Sequence, residues 1–342
     1  MNKILITGSQ GFIGSYLCNE FLNNGYEVYG VDNYSKYGML KRNHDQHENF
    51  RLHIGDICNS SWFDSLCEYR KPHFIIAGAA MIGGISYFHK YAYDLIATNE
   101  RILASTFDSA INLYKNNYLN RIIVLSSSMV YENTNIYPTP EDEISKCPVP
   151  FSTYGFQKLA SEYFALGAWE QYGLPYSIVR PFNCVGLGEE KALSNDDMNE
   201  NNDTLMLSHV LPDIIKKIIS GQDPVEILGN GNQIRCYTHG KDIARGVRLV
   251  LESKEAINQA FNISTSTAHT VLELAEIVWK KLNPNKPFKF KSVPGFDYDV
   301  QKRIPDITKA FKILGFETHY KLENAIDEII DYMKEKYSNE FK

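Results

Sequence analysis

The sequence predicts an α/β protein, a doubly wound parallel sheet with a smaller α/β domain after it. Three observations carry that expectation. Short apolar runs alternate with amphipathic segments through the first half of the chain. The first run ends in glycines spaced three and three, Gly8, Gly11 and Gly14. From Leu187 onward the pattern loosens and polar residues accumulate. The expected division is residues 1–180 and 181–342, with some of the later chain returning to the first sheet.

Ile4 to Thr7 reads as the first strand, and Ser15 to Asn24 as a helix with Tyr16, Leu17, Phe21 and Leu22 on one side. Strand, glycine turn and helix open a Rossmann unit. Gly8 permits the tight turn, Gly11 lets backbone approach a pyrophosphate, and Gly14 lets the helix pack on the strand. The helix N-terminus, with Phe12 and Ile13, then turns its unpaired N–H groups toward the phosphates. Tyr26 to Asp32 is a second strand ending in an acid. Asp32 can accept hydrogen bonds from the adenosine ribose and would repel a 2′-phosphate, so NAD is expected over NADP, with Asn33 beside it.

Phe50 to Ile54 is a third strand, followed by Asp56, a candidate for the adenine amino group, and Ile57. Phe74 to Ala77 is a fourth, apolar throughout and so buried on both faces. Small residues at Ala77 and Ala79 let a dinucleotide lie against backbone. The run continues through Met81 and Gly83-Gly84-Ile85 into a helix carrying Tyr91, Leu95, Asn99, Ile102 and Phe107. Arg121 to Leu125 is the fifth strand.

The strand ends in Ser126-Ser127-Ser128-Met129-Val130-Tyr131, and Tyr154 and Lys158 follow at i and i+4. On a helix these two project from one face, a turn apart. A phenol, with a pKa near 10, is a poor base at neutral pH. A nearby ammonium favours the phenolate. The pair can then take a proton from an alcohol while hydride leaves the same carbon.

Together these features resemble the extended short-chain dehydrogenase/reductase family, in its NAD-dependent nucleotide-sugar epimerase/dehydratase branch. Further matches are Arg180-Pro181-Phe182-Asn183, the run Gly229 to Arg235, Asp242, and Arg303 with Asp306. The resemblance implies NAD as cofactor and a nucleotide sugar as substrate. It makes Tyr154 the base, has Lys158 lower its pKa and bind the nicotinamide ribose, and places Ser127 on the reacting sugar oxygen. It assigns Asn183, Arg235 and Arg303 to the nucleotide diphosphate, where an Arg fork suits phosphate oxygens. Pro181 would lie near the nicotinamide, Asn99 near the cofactor, and Met81, Gly83 and Ser128 near the sugar. Related proteins dimerise through a four-helix bundle of the helices beginning near Tyr91 and Tyr154, and the same is expected here.

The chain departs from the branch in one informative place. The 4,6-dehydratases carry Thr-Asp-Glu where this chain has Ser127-Ser128-Met129, and methionine is no useful acid or base. What remains is oxidation at C4. Return of hydride to the other face gives a 4-epimerase; release of the ketone gives a 4-dehydrogenase. Dehydration with groups recruited elsewhere, and a non-catalytic NAD-binding regulator, are the other readings; the intact Ser127, Tyr154 and Lys158 argue against the regulator.

In the second half, Leu211 to Ser220, Gly240 to Glu252 and Leu322 to Tyr337 read as helices, and Val225 to Leu228 and Phe261 to Ile263 as strands. Residues 189–204 read as an exposed insertion, either a solvated loop or a lid. Cys236 and His239 read as packing residues, and His89 as a weak acid/base candidate. The net charge of −6 disfavours nucleic acid as a partner and a basic membrane-binding patch. No apolar stretch approaches the roughly 20 residues that span a bilayer. The six cysteines show no metal spacing, and Met1-Asn2-Lys3 leads straight into the first strand, so a cytoplasmic protein with reduced thiols and no metal is expected.

Overall fold

The computed structural model describes residues 1–83, 90–189, 209–295 and 300–336. The first half runs β1 (Lys3–Thr7), α1 (Phe12–Asn23), β2 (Glu27–Asp32), β3 (Phe50–Ile54), α2 (Ser60–Arg70), β4 (Phe74–Ala77), α3 (Ala92–Lys115), β5 (Arg121–Leu125), α4 (Thr153–Tyr172) and β6 (Tyr176–Pro181). The second half supplies β7 (Cys184–Val185), α5 (Val210–Ile219), β8 (Val225–Leu228), β9 (Ile234–Arg235), β10 (Thr238–His239), α6 (Gly240–Glu252) and β11 (Gln259–Ile263). It ends with β12 (His269–Thr270), α7 (Val271–Leu282), β13 (Phe290–Val293), β14 (Lys302–Arg303), α8 (Thr308–Leu314) and α9 (Leu322–Lys336).

Seven parallel strands form the central sheet in the order β11-β6-β5-β4-β1-β2-β3. The order reverses between β1 and β4, so a crevice opens at their C-terminal ends. Both faces of the sheet are buried. Ile4 and Ile6 pack with Leu17, Phe21 and Val247 on one side. Leu5 packs with Phe107 and Ala165 on the other. Continuous apolar strands follow from that double burial, each such side chain contributing about 1.5–3 kcal/mol. From the later chain, β11 pairs with the edge of β6, and α6 shares the first core with α1.

A third core joins Leu211, Ile214, Val225, Leu274, Trp279 and Ile326 in the second half. Its strands are short. Two pairs, β7 with β10 and β8 with β13, and the trio β12-β9-β14 stand beside the crevice. The trio is the one that matters for function, because its register sets Arg303 opposite Arg235.

The helix carrying Tyr154 is fixed at both ends. Ser152 Oγ accepts from Gly155 N at 2.9 Å and itself donates to Glu132 Oε2 at 3.0 Å. Gly173 closes the helix in the left-handed region at φ +71°. Gly84, Ile85, Tyr87, Phe88, His89 and the stretch 190–204 lie outside the described residues.

Candidate active site

The crevice is a cavity of about 1090 Å³ reaching from the glycine turn to the second half of the chain. That is at the upper end of the usual range for small-molecule and cofactor sites. One end is made of backbone. Gly8 sits at φ +74°, and a Cβ there would stand 3.0 Å from Ala79 Cα. A Cβ on Gly14 would lie 1.9 Å from Gly8 O. No side chain caps α1 at Gly11, which leaves its first N–H groups facing the crevice. Thr7 Oγ1 accepts from Gly78 N and Ala79 N, each at 3.0 Å, and so ties the β4 end to the β1 end. Asp32 holds the turn from the other side, accepting from Gln10 N at 2.9 Å and Tyr34 N at 2.8 Å.

These features fit a dinucleotide: an open helix N-terminus for pyrophosphate, glycines where a Cβ would intrude, and a carboxylate whose remaining lone pairs line the cavity for ribose hydroxyls.

The other end is made of side chains. Tyr154, Lys158 and Glu162 are buried on one face of α4. Tyr154 is hydrogen-bonded to Ser127, and Ser127 Oγ also accepts from Met129 N at 3.2 Å. Lys158 Nζ donates to Leu125 O at 2.8 Å. Burial raises the Tyr154 pKa, while the Ser127 hydrogen bond and the Arg303 charge draw it down. Burial lowers Lys158 to about 8, opposed by the charge of Glu162. Ser127 and Arg303 are thus drawn to the phenol from other elements, and Lys158, a turn away on the same helix, has one hydrogen committed to a carbonyl. Arg303 comes from β14, so sequence distance hides its approach.

Under this end lies a buried polar network. Ser126 Oγ donates to Glu162 Oε1 at 2.5 Å, and Arg180 grips Glu162 through Nε at 2.8 Å and Nη2 at 2.7 Å. Arg180 Nη1 reaches Tyr131 Oη and Glu141 O. Tyr131 Oη donates to Asn262 Oδ1 at 3.1 Å, and Asn262 Nδ2 donates to Thr139 O and Asp306 O.

The cavity wall brings together Gly8, Gly11, Phe12, Ile13, Gly14, Asp32, Asn33, Asp56, Ile57 and Ala79 at one end. At the other it brings together Met81, Gly83, Ser127, Ser128, Tyr154, Lys158, Pro181, Asn183, Arg235 and Arg303. Two expected cofactor contacts are not on the wall. Ala77 lies within β4. Asn99 is 1% exposed and its amide brackets Met81, accepting from Met81 N at 2.7 Å and donating to Met81 O at 3.0 Å. It supports the wall from behind. Met129 packs with Leu95 and Tyr154, and Ile82 lies against them, so no acid stands at that position.

Gln10, Lys36 and Lys90 line the cavity without having been singled out, and Tyr91, expected on the following helix and at its dimer face, lines it too. Glu162 was passed over as well, although it lies at the next helical spacing after Tyr154 and Lys158, and Arg180 was matched but given no role. Cys236 is fully buried, with its thiol pushed up to about 12 by burial. His239 caps α6, accepting from Lys241 N, and its Nε2 meets Glu328 at 3.1 Å. They are packing and capping residues. All six cysteines are free. Among the described residues no cluster could hold a metal, and no helix is long and apolar enough to cross a membrane.

The chain matches the model of the NAD dependent epimerase/dehydratase family over residues 4–264. It belongs to that family. It is an enzyme of that family, and its cofactor is NAD. UDP-glucuronic acid decarboxylase 1 of Danio rerio is 26% identical over 99% of this chain and 74% of its own length. UDP-glucuronate 4-epimerase of Thermodesulfobacterium geofontis is 26% identical over 98% of this chain and 97% of its own. The structure is similar to UDP-glucose 4-epimerase of Thermotoga maritima with UDP-glucose, with a TM-score of 0.81 and 26% identity, covering 98% of this chain and 99% of that one. Epimerases, decarboxylases and dehydratases all share this family's fold, so the fold alone does not select among them.

Proposed function

We propose that the protein oxidises C4 of a nucleotide-linked sugar and acts as a nucleotide-sugar 4-epimerase. The observation that carries this reading is the pairing of Tyr154 with Ser127, a turn from Lys158, inside a cavity continuous with the glycine turn. Tyr154 as phenolate takes the O4 proton, Ser127 holds that oxygen, and the Lys158 and Arg303 charges favour the phenolate. NAD, which Gly8, Gly11, Gly14 and Asp32 would hold, would supply the hydride acceptor and donor at C4, and inversion requires the 4-keto sugar to turn over between the two transfers. Asn183, Arg235 and Arg303 hold the diphosphate; the two arginines, set side by side by β9 and β14, present a double positive charge to it. Met81, Gly83 and Ser128 border the sugar. Met129 speaks against dehydration, because its thioether is buried against Tyr154 where an acid would be needed.

The test is incubation with GDP-, UDP-, CDP- and dTDP-sugars and mass analysis of the product. An isomer of unchanged mass supports the epimerase. Loss of two hydrogens identifies a 4-dehydrogenase instead, and loss of water a dehydratase. NAD binding with no affinity for any nucleotide sugar would leave a regulator.

The assembly we propose is a homodimer through α3 and α4. These helices carry the exposed aromatics Tyr93 at 76%, Phe156 at 43%, Tyr163 at 66% and Trp169 at 42%, side chains of the kind that bury against a partner. A cytoplasmic location accords with six unpaired thiols.

A further inference from the structure

Asn262 takes no part in the steps above, yet it is a polar side chain, 0% exposed, inside a strand of the central sheet. Its neighbours Phe261 and Ile263 belong to the first core. The pairing of β11 with β6 is made by backbone and needs no side-chain amide. An apolar residue would serve the sheet as well, because a buried amide is costly unless its hydrogen bonds are made.

The amide is used outside the sheet. Nδ2 donates to Thr139 O at 2.9 Å and to Asp306 O at 3.2 Å, and Oδ1 accepts from Tyr131 Oη at 3.1 Å. Thr139 and residues 304–306 already lie against each other. Thr139 N donates to Ile304 O at 2.8 Å, Asp306 N donates to Thr139 O at 2.9 Å, and Thr139 pairs with Pro305 as a bridge. Asn262 Nδ2 therefore joins two carbonyls across that contact.

Immediately before this contact comes β14, which carries Arg303 to the cavity wall. β14 is two residues long and stands at the edge of its trio, so its ladder with β9 holds it by few bonds. A guanidinium meets phosphate oxygens in pairs only when the backbone behind it is held in place. The Thr139 contact supplies that support just after Arg303, and the Asn262 amide braces it.

We propose that Asn262 is a positioning residue for the nucleotide diphosphate: by bridging Thr139 and Asp306 it fixes the segment that presents Arg303 to the phosphates. The proposal rests on the diphosphate role given to Arg303 above. It makes Asn262 act through Arg303, which separates it from a residue that only supports the fold.

The test is a double-mutant cycle on diphosphate binding. Calorimetry of the NAD-loaded protein with UDP, GDP, CDP and dTDP selects the tightest of the four as probe. Asn262→Asp keeps the oxygen that Tyr131 uses and replaces the donor, so it isolates the bridge to Thr139 and Asp306. Arg303→Met is expected to weaken the probe about tenfold or more, as loss of a charge-assisted hydrogen bond does. Asn262→Asp is expected to weaken it about five- to tenfold. In the Arg303→Met background the same Asn262→Asp change is expected to cost no more than about twofold, because the group it positions is gone. The NAD Kd should stay within about twofold throughout. Unchanged diphosphate affinity in Asn262→Asp, a loss that multiplies in full with that of Arg303→Met, or an equal loss of NAD affinity overturns the proposal.

Asn262→Asp sets an oxygen against two carbonyls and is at risk of misfolding. Asn262→Ala then removes the amide without adding a charge and runs through the same cycle with the same expected pattern. If no diphosphate binds, or Arg303→Met leaves its affinity unchanged, the role proposed for Arg303 falls. Amide exchange then decides the positioning role by itself, read at Thr139 N and Asp306 N, whose hydrogen bonds make the contact. Faster exchange at these two in the Asn262 variant, with the β6–β11 amides unchanged, upholds it, and unchanged exchange overturns it.

Discussion

The two ends of the cavity are built by opposite means. At the dinucleotide end the wall is main chain, and what matters is the absence of atoms: Gly8 and Gly14 leave room that a single Cβ would fill. At the reacting end the wall is side chain, and what matters is the presence of charge: Tyr154, Lys158, Glu162 and Arg180 are all buried, each in contact with another polar group. A protein made this way has one end that fails sterically and one that fails electrostatically.

Substitutions can break or sharpen that contrast. The largest expected effect is Tyr154→Phe, which removes one oxygen and should lower kcat by about 10²–10⁴-fold with little change in NAD affinity. Steady-state kinetics beside NAD titration checks it, and near-normal turnover would remove the chemistry from this end. Arg180→Met comes next. It strands the Glu162 carboxylate in the interior and should cost about 3–5 kcal/mol, read by urea unfolding. A loss under 1 kcal/mol would mean the network admits water.

Gly14→Ala should cost about 1–3 kcal/mol and weaken NAD binding, because the new methyl meets Gly8 O and the helix must move off the strand. Its signature is a raised NAD Kd, where Tyr154→Phe leaves the Kd alone. Asn99→Ala leaves Met81 N and O without their partner and should cost about 1 kcal/mol or somewhat more, with a rise in the sugar-nucleotide KM. The smallest change in monomer stability belongs to Tyr163→Glu, within about 0.5 kcal/mol. Sedimentation should nonetheless show a shift from dimer toward monomer, and an unshifted dimer would locate the interface elsewhere.

How much could be read before the structure differs between these ends in the same way. Phe50–Ile54, Phe74–Ala77, Arg121–Leu125 and Gly240–Glu252 have the limits that their apolar runs and caps suggest. Double burial writes a continuous run, and one-sided burial writes a 3.6-residue period. The glycine turn was legible because its members are neighbours in the chain. Tyr154 and Lys158 were legible for the same reason, and Glu162 escaped because a carboxylate one turn on looks like any solvated helix residue. Asn99 was misplaced from wall to support because an amide's partners depend on which backbone lies beside it.

The sequence by itself determined the order of strands and helices, the glycine turn, and the Tyr154–Lys158 spacing, all of them consequences of local sterics and of which side chains avoid water. Only the tertiary structure decided which distant charges meet. It set Arg303 against Arg235 by strand register, brought Arg303's charge to bear on Tyr154, and closed Arg180 on Glu162. Those contacts join segments separated by loops of unrelated sequence, and electrostatic energy depends on distance and burial, which chain position does not encode.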